Sequence, residues 1–490
     1  MYSTNRLCNS LQSMVGVFLH ASNAPETIIN LLSHMGVSVA AKTVTRAIKN
    51  LSKEAHTEIR TLGQMFLTSY AYDNLDIDLK HSVPTDEKPQ DTLIHITSGT
   101  LLPLYDVSRE DLDCSEELWK NYHYNPASRN QDIRHISFYD LHDIHPETPH
   151  LSELTRRERF NAWKYLSDLI NFGPEKLRHF KSKLKNPEPI DPIPVHKTTQ
   201  VPLRAIDVSP STPAGNAQAL EEFFKQTSIG DSTSDTPDTK AIQNRIVLIF
   251  GDLLTGQHVQ SLMRSRSVEA TPWRRLQFLV FVMGLFHLKM ACADALWRIF
   301  INHKQSGVDS NSLMAQVSQI RPKETGKIKT NPGFRRMHEI IQHVGIVSRL
   351  DVWRLAATKK NPAYTTLEAF AESDPTLEDL MKMSEQIIHD DSNEPDISRM
   401  REKEEGERDK QRENTLLRGR YFLLYEELSH AMNYSDIGRV EDSFIPWIYI
   451  FRGCGKHKYA TEMKRYLENI HFVYPEGLKY TGLLQRLSNG

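Results

Sequence analysis

Five apolar residues in a row, Ile246 to Phe250, stop abruptly at Gly251-Asp252. A β-branched and aromatic run of that length, bounded by a breaker, reads as a strand buried on both faces. Such strands belong to α/β sheets. A carboxylate just past the strand's carboxyl end stands where open sheets of this class place ligands and metals. A short polar segment follows, then a long apolar helix ending in LFHLKMACADALWRIF, up to Phe300. Residues 245–300 are therefore expected to hold a strand, a site-bearing turn and a helix.

The rest of the chain sets limits around that expectation. Its 490 residues are enough for two or three domains with cores of their own. A net charge of −2 gives no global basic field, so any nucleic-acid contact must come from local patches. Cys8, Cys114, Cys292 and Cys454 are scattered, with no CxxC, which argues against zinc fingers and disulfide frameworks and for a reducing compartment. The N-terminus shows no basic region followed by an apolar run. The longest apolar block, residues 276–288, falls short of the roughly 20 residues that span a bilayer, and it contains His287. These features predict an intracellular protein of nucleus or cytoplasm with no membrane partner.

Along the chain, residues 1–57 read as helical. Pro25-Glu26 opens one helix, Gly36 breaks it, and Ser38 or Thr43 begins another that carries Val44, Ala47, Ile48 and Leu51 at helical spacing. This is the outline of a helix-turn-helix with Arg46 and Lys49 as candidate nucleic-acid contacts, or of an ordinary helical hairpin. Residues 58–110 change period. Leu75, Ile77 and Leu79 alternate with Asp76 and Asp78, as in a strand, and Ser98-Gly99-Thr100 between 92–97 and 101–105 reads as a hairpin turn.

Residues 111–240 read as an insertion. Its helical part, 151–185, interleaves Arg156, Arg157, Arg159, Lys164, Lys181 and Lys183 with Phe160, Trp163, Tyr165 and Phe180. Such a mixture can track a phosphate backbone, or be the solvated face of an amphipathic helix. Arg156, Arg157, Lys181 and Lys183 are the candidate contacts. Residues 186–238, rich in Pro, Ser, Thr and Asp, read as a linker or crossing loop. After the strand and long helix of 241–305, residues 306–490 read as helical, interrupted by a charged linker at 390–414.

The blocks GDLLTGQHV, GLFHLKMACADALWRIF and GRVEDSFIPWIYIFRGCGKHKYATEMKRYLENIHFVYPEGL, with YDN and TSGT upstream, resemble a large group of uncharacterised fungal proteins. They share a domain of unknown function, are abundant in mushroom-forming fungi and are thought to derive from transposons. The resemblance spans residues 11–480. The order of blocks is similar to the ribonuclease-H-like core of DDE transposases, in which a first strand carries an Asp, a hairpin follows, a later strand ends in a second Asp, and a C-terminal helix supplies a third acid.

The resemblance implies an α/β core, a ribonuclease-H-like mixed sheet, with large and mainly helical additions. It makes Asp73 and Asp252 the catalytic and metal-binding acids, with Mg²⁺ or Mn²⁺ as cofactor if the protein is active. Hard oxygen ligands in a fixed array are what such ions accept. Where family members continue into an acidic helix this chain ends in KYTGLLQRLSNG, so no third acid is identified; Glu441, Asp442 and Glu476 stand as substitutes without a distinguishing spacing. His287, seven residues before Asp294 on one helix face, is an accessory candidate or a hydrogen-bonded core residue. Cys292 and Met290 read as core packing.

The expected function is a transposase-derived, degenerate protein that binds DNA with little or no nuclease activity. The alternative is a non-catalytic α/β scaffold for a protein partner. A nucleotide-binding enzyme is disfavoured because neither GxGxxG nor GxxxxGK[ST] occurs.

Overall fold

A computed structural model of the chain describes residues 9–79, 92–127, 136–231, 238–301, 311–393 and 397–479. Cys8 and the stretch 480–490 lie outside it. The fold is mixed α/β. Its strands are β1 (Thr68–Leu79), β2 (Thr92–Pro103), β3 (Val201–Pro202), β4 (Ile229–Gly230), β5 (Lys240–Ala241), β6 (Val247–Gly251) and β7 (Leu279–Met283). Five of them form one sheet in the order β3-β2-β1-β6-β7, while β4 and β5 make a separate parallel pair.

The sheet is mixed. β1 lies antiparallel to β2 along its whole length, from Thr68 opposite Pro103 to Leu79 opposite Thr92, and β3 is antiparallel to β2. β6 and β7 run parallel: the Val247 N–H donates to the Phe278 carbonyl at one end, and the Gly284 N–H donates to the Gly251 carbonyl at the other. The apolar run behaves as expected of a doubly covered strand, with Leu248 and Ile249 at 1% and 0% exposure.

Two readings of strands need correction. Ser98-Gly99-Thr100 is not a turn; it lies inside β2, with Gly99 opposite Tyr72. Glycine is required there because a Cβ would stand 2.7 Å from the Phe223 ring. The long apolar helix is also shorter than its hydrophobicity suggested. Residues 279–283, LVFVM, form β7, and the helix spans Leu285–Phe300 after the break at Gly284. A β-branched and aromatic run beside a buried partner strand pairs with it in preference to coiling.

The chain divides into two compact units, Met1–Leu104 with Thr199–Ile249 and His258–Val280, and Tyr105–Thr198 with Phe250–Gln257 and Phe281–Gly490. In the first, the helices Ser10–Ala21, Glu26–His34 and Ala41–Met65 gather around Ile29, Val39 and Val44, and Gly36 turns the chain at a φ of +74°. The stretch read as a linker, 186–238, contains the helix Pro213–Gln226. Thr212 caps it through the Gly215 N–H and Pro213 opens it. This helix buries Ala219, Leu220, Phe223 and Phe224. Tyr72 donates its hydroxyl to Asn216 and Tyr70 donates to Thr227, which ties the helix to the face of β1.

The second unit is helical. Leu285–Phe300, Gly333–Lys360, Lys410–Asn433, Ile437–Gly453 and His457–Glu468 close around a core that includes Trp447, Phe444, Tyr425 and Met463. Cys292 is part of it, whereas Met290 is 36% exposed. The basic helix Arg156–Phe172 opens with a Thr155/Glu158 capping box and packs against Trp353 and Phe370. Among the described residues no helix is long and apolar enough to cross a membrane.

Candidate functional site

The two acids expected to bind metal occupy different settings. Asp73 is exposed in the middle of β1, opposite Ser98, and its carboxylate accepts the N–H of Asn74 at 2.8 Å. Asp252 stands immediately past β6. Its carboxylate accepts the Thr255 N–H at 2.7 Å and so caps the helix Leu253–Ser265. The rest of the GDLLTG block has packing reasons of its own. A Cβ at Gly251 would meet the Thr255 side chain at 2.8 Å, and one at Gly256 would meet the Phe281 ring at 2.2 Å. Burial, with the nearby carboxylates of Asp252 and Asp294 adding to it, pushes the Tyr459 hydroxyl up to about 12. Lys458 beside it donates to Gln257.

His287 sits in the first turn of Leu285–Phe300, half-buried and edge-on to Phe286. Asp294, two turns on, pairs with Arg298 and with Lys456 at 2.8 and 2.7 Å.

The candidate nucleic-acid contacts divide into two kinds. Arg46, Lys49, Lys181 and Lys183 are exposed. Arg156 and Arg157 are engaged within the protein, contrary to the open basic face expected of them. Arg157 pairs with Glu427 and Asp442, each at 2.9 Å. Arg156 donates to the carbonyls of His145 and Pro146. Guanidinium donors committed to the protein's own carboxylates and carbonyls make these two arginines less open to phosphate than an unpaired basic face would be.

Of the substitute acids, Glu476 is exposed and Asp442 is taken by Arg157. Glu441 belongs to a different constellation. It lies early in the helix Ile437–Gly453 with its side chain 1% exposed, and its Oε2 accepts hydrogen bonds from His145 Nε2 at 2.9 Å and His471 Nε2 at 2.8 Å. His145 follows the short helix Phe138–His142 and is steadied by the Arg156 contact to its carbonyl. His471 lies in the π-helical turn Asn469–Val473 that prolongs His457–Glu468. Turns of that kind are rare and concentrate at functional sites.

The two imidazoles stand nearly perpendicular, 5.8 Å apart. One ligand-capable atom from each of the three residues lies within 4.8 Å of the others. Burial opposes ionisation of Glu441, but the hydrogen bonds from His145 and His471 outweigh it and hold the carboxyl at about 2. The other oxygen, Oε1, is buried without a hydrogen-bond partner. A cavity of about 220 Å³ adjoins the group, lined in part by Leu141, His142, His145, Arg157, Glu441 and Asp442.

Sequence reasoning named Glu441 and missed both histidines. His145 lies 296 residues before Glu441 and His471 lies 30 after it, a spacing that matches no metal-ligand pattern.

Comparison with known proteins gives a family and no activity. The model of one family, "Family of unknown function (DUF6589)", matches residues 133–489. No curated protein and no solved structure matches the chain.

Proposed function

Because the chain belongs to the family of unknown function DUF6589, which has no activity to lend it, we propose a function from the fold: a transposase-derived, ribonuclease-H-like protein that binds nucleic acid and has little or no nuclease activity. One observation carries the reading. β1, which bears Asp73, pairs with β2 as a hairpin and is flanked on its other side by β6, after which Asp252 follows directly. An acid on a first strand, a hairpin, and a second acid at the end of a later strand is the order of parts in the transposase core.

The acids do not fit a Mg²⁺ or Mn²⁺ pair. Both carboxylates accept backbone N–H groups of their own segments. Among the described residues, the one group of three or more His, Cys, Asp and Glu side chains close enough to share an ion contains neither. Two carboxylates without a third ligand lack the charge and fixed geometry that metal-assisted phosphoryl chemistry needs. DNA binding is supported by the exposed Arg46, Lys49, Lys181 and Lys183. Exposed lysines and arginines bind phosphates whatever the base sequence, so binding is expected to be sequence-tolerant and to weaken steeply with salt.

The test is plasmid nicking in Mn²⁺ alongside DNA binding over a salt series, with the wild type, Asp73→Asn and Asp252→Asn. The expected result is no nicking, and salt-sensitive binding that survives both substitutions and weakens in a Lys181→Ala/Lys183→Ala variant. Robust nicking abolished by either Asn substitution would refute the degenerate reading, and absence of both activities would refute nucleic-acid binding. A second reading, a scaffold for a protein partner, is favoured by the apolar groove between Ser10–Ala21 and Ala41–Met65, where Met14, Phe18 and Leu51 are 63%, 69% and 55% exposed.

A further inference from the structure

We propose that His145, Glu441 and His471 bind one divalent ion of the Zn²⁺ class, with an open coordination position on the adjoining cavity. The proposal is independent of the nucleic-acid reading and concerns a different ion from Mg²⁺.

Three observations support it. The donors converge: both Nε2 atoms lie within 3 Å of one carboxylate oxygen. In a tetrahedral site with metal–ligand distances of about 2.0–2.2 Å, neighbouring ligand atoms sit about 3.4 Å apart. A shift of about half an ångström by each imidazole therefore admits an ion. The set of two imidazoles and a carboxylate suits Zn²⁺, Co²⁺ or Fe²⁺, whereas Mg²⁺ and Ca²⁺ prefer all-oxygen cages.

Glu441 is also under-satisfied. Its two hydrogen bonds fall on Oε2, and Oε1 is buried without a partner. A buried oxygen left unpaired is costly, and native structures keep few of them. An ion held by both oxygens removes that cost. So does an ion held by Oε2 whose bound water donates to Oε1.

The surroundings are those of a ligand site with an entrance. Arg156 fixes the backbone of His145 from behind. His145 and Glu441 line the cavity, and the imidazoles of His145 and His471 retain 16% and 12% side-chain exposure, so the group is reachable through His145 and Glu441 from the cavity side. Three protein ligands and one position facing a cavity is the pattern of an ion that binds a water or a further ligand, in contrast to a closed structural site with four protein ligands.

The experiment uses the full chain, stripped with EDTA and dialysed, then titrated with ZnCl₂ and CoCl₂. Uptake is read by calorimetry and by the visible absorption of Co²⁺. The expected result is one ion per chain, a rise in melting temperature on adding Zn²⁺, and no response to Mg²⁺. His145→Ala and His471→Ala are each expected to weaken Zn²⁺ binding at least 10–100-fold, the loss typical of merely disturbing a ligand's support. Glu441→Gln keeps the size of the side chain and removes its charge, so it tests the site even if an alanine variant fails to fold; it is expected to weaken binding by a similar factor and to alter the Co²⁺ spectrum. Failure of the wild type to take up an ion in one-to-one ratio would overturn the proposal. So would uptake that Glu441→Gln leaves unchanged, since that would assign the ion to other histidines.

Discussion

At the scale of single residues the second unit holds several ion pairs inside its core. Arg349 joins Asp168 and Glu426 at 2.6 and 3.0 Å, and Arg439 joins Glu427 and Asp436 at 3.1 Å each. Removing one partner of such a group leaves an uncompensated buried charge. His430 responds to this interior. It stacks on Tyr434 and tilts against Trp163 and Phe160. Burial, then the positive charge of Arg439, lowers it from 6.5 to about 4. Between those two values the unfolded chain binds a proton that the folded chain refuses, so stability falls as pH falls from 6.5 towards 4. The full effect of one such group is about 1.4 kcal/mol per pH unit, and the ring's residual contact with water reduces it. Denaturant unfolding at pH 7 and pH 5 is expected to show the wild type losing about 1 kcal/mol more than His430→Phe, which keeps the ring contacts; equal losses would exclude His430 as the source. Little of this scale was legible beforehand. Asp252 was recognisable as the residue past a buried strand, but its carboxylate caps a helix. Glu441 was one of three interchangeable acids until its two histidines, remote in sequence, came beside it.

At the scale of elements, legibility followed how local the deciding interaction is. β6 could be read from its own residues, because an unbroken apolar run needs cover on both faces. So could the break at Gly36 between two helices. β7 could not, since LVFVM suits a buried helix as well as a strand and is decided by its pairing with β6. The helix Pro213–Gln226 was hidden for a different reason. Its Thr-Pro start signal was present, but the Ser, Thr and Pro around it resembled a linker, and the face of β1 that rewards burying Phe223 and Phe224 lies far away in sequence. Gly99 is where this helix meets the sheet. A Cβ there would sit 2.7 Å from the Phe223 ring and 3.1 Å from Leu203. Gly99→Ala is therefore expected to destabilise by about 1–3 kcal/mol through overpacking. Gly419→Ala is the counterpart: the glycine is exposed within the helix Lys410–Asn433 and nothing lies within 4 Å of its added Cβ. It is expected to stabilise by about 0.5–1 kcal/mol. Urea unfolding of both variants separates the cases, and a neutral Gly99→Ala would mean that the helix does not pack on β2 as described.

At the scale of the whole molecule, compactness and sequence continuity part company. A reading along the chain places 1–57, 58–110, 111–240, 241–305 and 306–490 one after another, whereas each compact unit is assembled from three separated stretches. The family match begins at residue 133, beyond β1 and β2 but before β6 and β7. A fragment cut to the matched region would keep β6 and β7 and lose the strand that lies on the other side of β6. It would also strip β3 of β2, and the helix Pro213–Gln226 of Tyr70 and Tyr72. β6 would then be an apolar strand with an open edge, which invites pairing between chains. The fragment 133–489 is therefore expected to be insoluble, or to elute as aggregates from a sizing column, where the full chain gives a single folded species. Restoring residues 9–132 in the same polypeptide should restore solubility. A fragment 133–489 that is monomeric and melts in one cooperative step at the temperature of the full chain would show that β1 and β2 are dispensable, and would detach the region matched by the family from the strand that carries Asp73.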